Sequence, residues 1–248
     1  MSGHSKWATI KHQKGAKDAR RGKLFAKLIR GIEVAARTGG GNPEGNPTLA
    51  DAIQKAKDSS VPNDTIERAV KRGSGDLEGQ QLDLVTYEGY APGGVAVLVD
   101  ALTDNRNRTA SAVRHAFSKA GGNMAEAGAV SYLFNRKGQI VIPADGVDED
   151  RVMEVALDAG AEDVESADGA LIVTTGPSEL RQVRAAFDRT GISYQSAEVT
   201  MVPTLSVPLD RDGAVKVLRL LDAIEDLDDT QDVYANFDIP DEIMAEVS

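Results

Sequence analysis

GVAVLVDALTDNRNRTASAVRHAFSKAGG (94–122) and GALIVTTGPSELRQVRAAFDRTG (169–191) share one plan. Each is an apolar strand, a polar turn, a helix carrying Val-x-x-Ala-Phe, and a closing glycine. A second pair repeats in the same way. IVIPADGVDEDRVMEVALDAGAEDVE (140–165) and LSVPLDRDGAVKVLRLLDAIEDLDDTQDV (205–233) each run from a strand ending in Pro through an acidic cap and a helix to an acidic turn. Paired strand–helix–strand halves predict the ferredoxin-like split βαβ sandwich. In one copy, 137–203, the halves are consecutive. In the other they are split, with 83–136 first and 204–238 last. The fold class expected is therefore α+β, with one ferredoxin-like α/β domain inserted in another. Two further strand pairs are predicted: DLVTYEGYAPGGVAVLVDAL (83–102) around Pro-Gly-Gly, and AVSYLFNRKGQIVIPAD (129–145) around Arg-Lys-Gly.

Upstream of these lies a helical region, 1–75. Leu24, Leu28, Ile32 and Ala35, flanked by Phe25, Ile29 and Ala36, fall within an arc of about 140° on a helical wheel. Arg20, Lys23, Lys27, Arg30 and Arg37 take the opposite arc. Asn46 with Pro47 starts a second helix. A third is expected to open on an Asp64/Glu67 capping box and to stop at Gly73. SGDLEGQQ reads as the linker that follows.

Charge divides the chain more sharply than hydropathy does. The net charge is -11 over 248 residues. Residues 1–75 hold 15 Lys/Arg against 7 Asp/Glu, and the remainder holds 13 against 32. After Arg219 ten acids follow and no base. A basic head on an acidic body attracts a polyanion at one end and repels it at the other.

Lys6, Lys11, Lys14, Lys17, Arg20, Arg21, Lys23 and Lys27 are the candidate phosphate contacts. Trp7, the only tryptophan, either stacks on an exposed base or anchors the arm to the helices. His12 serves base or phosphate. Arg106 and Arg108 sit between a strand and a helix. They either meet an anion at the helix N-terminus or pair with nearby acids. No element reads base edges, which suits recognition of shape or backbone.

Other classes fall away. No cysteine is present, so thiolate nucleophiles and disulfides are excluded. Three histidines form no triad, there is no P-loop, and Gly39–Gly41 follows a helix rather than a strand. Asp228 and Asp229 suit a solvated turn better than a cation site. No enzyme, cofactor, metal or small-molecule substrate is expected. No apolar run spans a membrane and no secretory signal opens the chain, so a cytoplasmic monomer is expected.

GHSKWATIKHQKGAKDARRGKLFAKLIR (3–30), SSVPNDTIERAVKRGSG (59–75), YEGYAPGGVAVLVDALTDNRNRT (87–109) and EDLDDTQDVYANFDIP (225–240) closely resemble the YebC family, which includes a mitochondrial translational activator of cytochrome oxidase subunit I. The resemblance covers essentially the whole chain. It implies a helical N-terminal domain and two α/β domains. It also implies one of two roles. One is a transcriptional regulator that binds DNA. The other is a ribosome-associated translation factor that relieves stalling at proline-rich stretches. On the second view Lys6, Trp7, Lys11, His12 and Lys14 would contact ribosomal RNA, while the Tyr87–Gly94 turn or the Arg106/Arg108 loop would approach the reaction centre or transfer RNA.

Overall fold

The computed structural model describes residues 18–75, 82–167 and 169–247. The chain forms two compact units: one runs to Ser131 and resumes over Leu209–Ala235, the other holds Tyr132–Pro208 and the chain from Asn236.

The first unit begins with three helices, α1 (Asp18–Gly39), α2 (Pro47–Asp58) and α3 (Asn63–Ser74). Their core is Leu28, Ile32, Ala35 and Ala36 of α1 against Leu49, Ala56, Val61, Ile66 and Ala69, with Phe25 and Ile29 at its edge. Each large side chain buried here contributes about 1.5–3 kcal/mol. Leu24 lies outside it, 41 % exposed. Asn46 ties the first two helices together. Its side-chain oxygen accepts the Leu49 N–H at 3.1 Å, and its amide donates to the carbonyls of Ala35 and Gly40, both at 2.8 Å.

The third helix departs from expectation at both ends. It starts at Asn63 behind Pro62, with no side-chain cap, so Asp64 and Glu67 form no capping box. It stops at Gly75, in the left-handed region at φ 92°. Gly73 lies inside the helix, buried against α1, where a Cβ would collide with the Glu33 carbonyl oxygen. This glycine permits a close helix crossing rather than a stop. Beside it the Arg72 guanidinium grips the buried Glu33 carboxylate at 2.6 Å.

The same unit holds an antiparallel sheet of β1 (Asp83–Ala91), β2 (Val95–Thr103), β3 (Asn123–Ala125) and β9 (Thr230–Ala235), in the order β3-β1-β2-β9. A tight turn at Pro92–Gly94 joins β1 to β2, whose register runs from Asp83↔Thr103 to Ala91↔Val95. Helix α4 (Arg106–Lys119) follows β2, and α7 (Arg211–Glu225) precedes β9. Val113, Phe117, Val217, Leu221 and Ile224 bury the apolar sides of these two helices.

The second unit holds β4 (Phe134–Pro143), α5 (Glu149–Asp158), β5 (Asp163–Ala167), β6 (Ala170–Thr175), α6 (Leu180–Thr190) and β7 (Ser196–Pro203). Its sheet order, β5-β6-β4-β7, is that of a ferredoxin-like βαββαβ unit. Ile140, Ile142, Val152, Val173, Val183 and Phe187 make its core. The Arg-Lys-Gly segment is not a turn: β4 passes straight through it, with Gly138 paired to Thr175 on one side and Val199 on the other. A Cβ at Gly138 would meet the Thr175 hydroxyl and stand 2.9 Å from the Leu180 Cβ. The residue is small because α6 crosses there. Helix α8 (Asp241–Val247) closes the chain.

One strand of the repeat moves elsewhere. LSVP, expected to open the last half, contributes β8 (Val207–Pro208), which pairs in parallel with β10 (Phe237–Asp238). The place it would take in the first sheet belongs to β1, from the other end of the sequence. The first sheet thus keeps the ferredoxin-like order with a rearranged chain path.

Candidate nucleic-acid interface

Lys6, Trp7, Lys11, His12, Lys14 and Lys17 lie outside the described residues. Arg20 and Arg21 lie in the first turns of α1. The structure describes Lys23, Lys27, Arg106 and Arg108 in full, and each of the four is engaged with the protein itself.

Lys23 and Lys27 face the far end of α7. This helix ends on Asp222, Glu225 and the cap Asp226, with no base in its last turn. Carboxylates at that end oppose the helix dipole, and its last carbonyls lack helical partners. Helix α1 supplies what is missing. Lys27 Nζ donates to the Glu225 carbonyl at 2.6 Å, and Lys23 Nζ donates to the Asp226 carbonyl at 3.2 Å with its carboxylate at 3.8 Å. Arg30 Nη1 donates to the Asp228 carbonyl at 2.6 Å. From α2, Lys55 pairs with Asp232 at 3.2 Å. The basic face read from the helical wheel is real, and an acidic segment about two hundred residues later occupies much of it.

Arg106 and Arg108 follow the pairing alternative. Arg106 meets Asp83 at 3.0 Å. Arg108 meets Asp104 and Asp229, both at 2.9 Å. Asn105 caps α4 by accepting the Arg108 N–H at 3.1 Å. Asp229, read in sequence as part of a solvated turn, is the hub of this corner. It accepts from the Thr109 hydroxyl at 2.6 Å as well as from Arg108. Its burial would raise its pKa, but the hydrogen bonds from Thr109 and Arg108 and the charges of Arg108 and Arg30 hold it below the ordinary range. A cleft of about 470 Å³ opens here, lined among others by Arg30, Asp104, Arg108, Asp228 and Asp229. Its guanidiniums are turned onto carboxylates and a carbonyl, so its wall is acidic on balance.

The Tyr87–Gly94 segment is also held from within. Tyr87 donates its hydroxyl to the Arg106 carbonyl at 3.1 Å, and burial pushes its pKa up. Glu88 points to the other face of β1, as strand alternation requires. It is only 6 % exposed. It accepts backbone N–H groups from Gly128 (2.7 Å), Val130 (2.6 Å) and Ser131 (2.9 Å), while Tyr90 donates to the Ala129 carbonyl at 3.0 Å. Burial alone would raise the Glu88 pKa, and the three N–H bonds bring it below the usual value. Sequence reading passed over Glu88 because its partners lie forty residues on.

Two family models cover nearly the whole chain. The N-terminal domain of the TACO1/YebC proteins matches residues 5–76, and their second and third domain matches residues 82–237.

The chain belongs to the YebC family. A YebC relative from Thermobifida fusca is 63% identical over 249 residues, covering 100% of both chains, and is named "Probable transcriptional regulatory protein". One from Beutenbergia cavernae, of the same name, is 60% identical over 100% of this chain and 99% of its own. The crystal structure of a conserved hypothetical protein from Aquifex aeolicus is 53% identical, with a TM-score of 0.82 over 92% of this YebC chain and 94% of that one. Among the described residues no helix is long and apolar enough to cross a membrane.

Proposed function

We propose that this YebC-family chain regulates gene expression by binding nucleic acid, as a cytoplasmic monomer without catalysis, through its basic N-terminal arm and the first turns of α1. The observation that carries this is the charge division: 15 bases against 7 acids in residues 1–75 of a protein with a net charge of -11. Lys23, Lys27, Arg106 and Arg108 have protein partners. The primary phosphate contacts are therefore Lys6, Lys11, Lys14, Lys17, Arg20 and Arg21, with Trp7 and His12 beside them for stacking. The relatives' shared name supports a regulatory role, and on that reading the nucleic acid is DNA.

A second reading takes ribosomal RNA as the target and translation as the process. Lys55 and Arg72 of the basic helices hold Asp232 and Glu33. A row of closely spaced cations with no element that reads base edges suits a folded phosphate backbone better than groove reading. Crosslinking in cells, followed by sequencing of the attached nucleic acid, tests both. Chromosomal fragments support the first reading and ribosomal RNA the second. Recovery of neither would end the nucleic-acid reading.

A further inference from the structure

The α1–α7 contact joins parts of the chain with opposite charge. The helical part has a complete core of its own, drawn from residues 28–69. Its described contacts with α7 and β9 are largely polar: Lys23, Lys27 and Arg30 on main-chain carbonyls, and Lys55 on Asp232. Gly31 of α1 lies over Gln231 of β9, 3.8 Å from its side-chain oxygen if a Cβ is added. The Gln231 amide nitrogen and the Thr230 hydroxyl are buried there without a hydrogen-bond partner among the described residues. Buried polar groups left unpaired cost stability, and contacts between exposed charges weaken with salt. An interface built this way holds through charge and separates without breaking either core.

We propose that this contact is a latch that a polyanion opens by taking the α1 cations from the end of α7. The proposal rests on the nucleic-acid reading above and deepens it. Lys23, 51% exposed, and Lys27 follow Arg20 and Arg21 along the same helix. A phosphate backbone held by the arm and the first turns therefore meets them next. Each phosphate that binds Lys23, Lys27 or Arg30 displaces a carbonyl of the Glu225–Asp228 segment. The acids of that segment then face the phosphates directly, and like charge drives the helical part away from the α/β part.

The chain contains no cysteine, so two introduced cysteines are labelled without competition. Glu67→Cys on α3 and Lys119→Cys at the end of α4 are both exposed and lie on the two sides of the latch. Distance distributions between spin labels are measured on the full chain in low salt, in 1 M salt, with Lys27→Ala/Arg30→Ala added, and with a short RNA duplex. Duplex binding is followed in parallel by the anisotropy of a fluorescent end-label. The expected result is a single distance in low salt, shorter than the population that the other three conditions add. The shift should be on the order of 10 Å, about the separation beyond which exposed charges are screened at moderate salt. The high-salt arm needs no substitution, so a folding defect in the double variant does not decide the outcome. A duplex that binds while the distance stays short overturns the latch and leaves the nucleic-acid reading standing. A distance unmoved by both salt and the double variant also overturns it. A chain that binds neither this duplex nor a DNA duplex of the same length removes the reading beneath the proposal, and the trigger falls with it.

Discussion

Replacing Glu88 with Gln isolates one device in the fold, the buried carboxylate that gathers the 128–131 backbone. Hydrogen bonds to a charged acceptor are worth about 1.5–3 kcal/mol each, against about 1 for neutral pairs. The amide oxygen of Gln retains two of the three N–H bonds at the weaker strength. Its NH₂ group faces the third donor and leaves it unpaired, at about 1–3 kcal/mol. The expected loss is about 3 kcal/mol, localised to the loop. Amide hydrogen exchange of 126–131 reads it directly, without assuming that the multidomain chain unfolds in one step. At pH 7 the variant should exchange about a hundredfold faster there, since each 1.36 kcal/mol is a factor of ten. The pH dependence has a fixed sign. The folded pKa of Glu88 is lowered, so its contribution is complete above the unfolded carboxyl value, about 4.3, and is lost as pH falls through the lower folded value. The ratio of variant to wild-type exchange should therefore shrink toward one in acid. Equal rates at pH 7, or a ratio that does not change with pH, would refute the reasoning.

Gly73→Ala drives a methyl into the Glu33 carbonyl and should cost about 1–3 kcal/mol, visible as an earlier loss of helical circular dichroism on heating; an unchanged melt would mean that α1 and α3 cross less closely than described. Asn46→Ala removes a cap and two donors to buried or half-buried carbonyls, with an expected loss of about 2–3 kcal/mol by the same measurement. Asp229→Asn should destabilise the α4 corner by about 1–2 kcal/mol at neutral pH. Because the folded pKa of Asp229 is lowered, that deficit should fade as pH drops through it, as denaturant titrations across pH would show. Lys11→Glu/Lys14→Glu/Arg21→Glu should abolish co-sedimentation with ribosomes or retention on duplex DNA, whichever the wild type shows; retention at wild-type level would remove the arm from the interface.

Much of the architecture was legible because it rests on local signals. Leu28, Ile32 and Ala35 at helical spacing marked the α1 core, Asn46-Pro47 marked the start of α2, and the duplicated Val-x-x-Ala-Phe helices marked two related sandwiches. The errors share a cause. Gly73 reads locally as a stop and Gly138 as part of a turn, since glycine is the strongest local punctuation in a sequence. Both are instead small because another element crosses them: the Glu33 backbone in one case and Leu180 in the other. Close approach between distant segments leaves no mark on the residues beside the glycine. The displaced LSVP strand follows the same logic. It reads as a strand ending in Pro, but β1 pairs with β2 as a hairpin around one tight turn, whereas LSVP would have to reach β2 across about a hundred residues; it pairs instead with β10, about thirty residues on.

The candidate site was legible as charge and not as geometry. A helical wheel establishes that Lys23, Lys27 and Arg30 share a face, but it cannot name what that face meets. Two features of the same sequence bear on that question. The chain from Glu225 to Asp232 is acidic, and α7 reaches its last turn with no base of its own. A helix that ends so is short of cations, and the surplus lies in residues 1–75. Opposite net charges on two parts of one chain attract each other before they attract anything else. Lys23, Lys27 and Arg30 are taken up internally in this way, and the proposed function assigns the nucleic acid to the cations that precede them. By that reasoning, charge reversals along the basic segment should divide into two groups. Changes in the arm should weaken nucleic-acid binding and leave stability alone. Lys27→Glu should lower stability by setting a carboxylate against the Glu225 carbonyl, with a smaller effect on binding. A Lys27→Glu protein as stable as wild type but defective in binding would place this lysine in the interface and not in the fold.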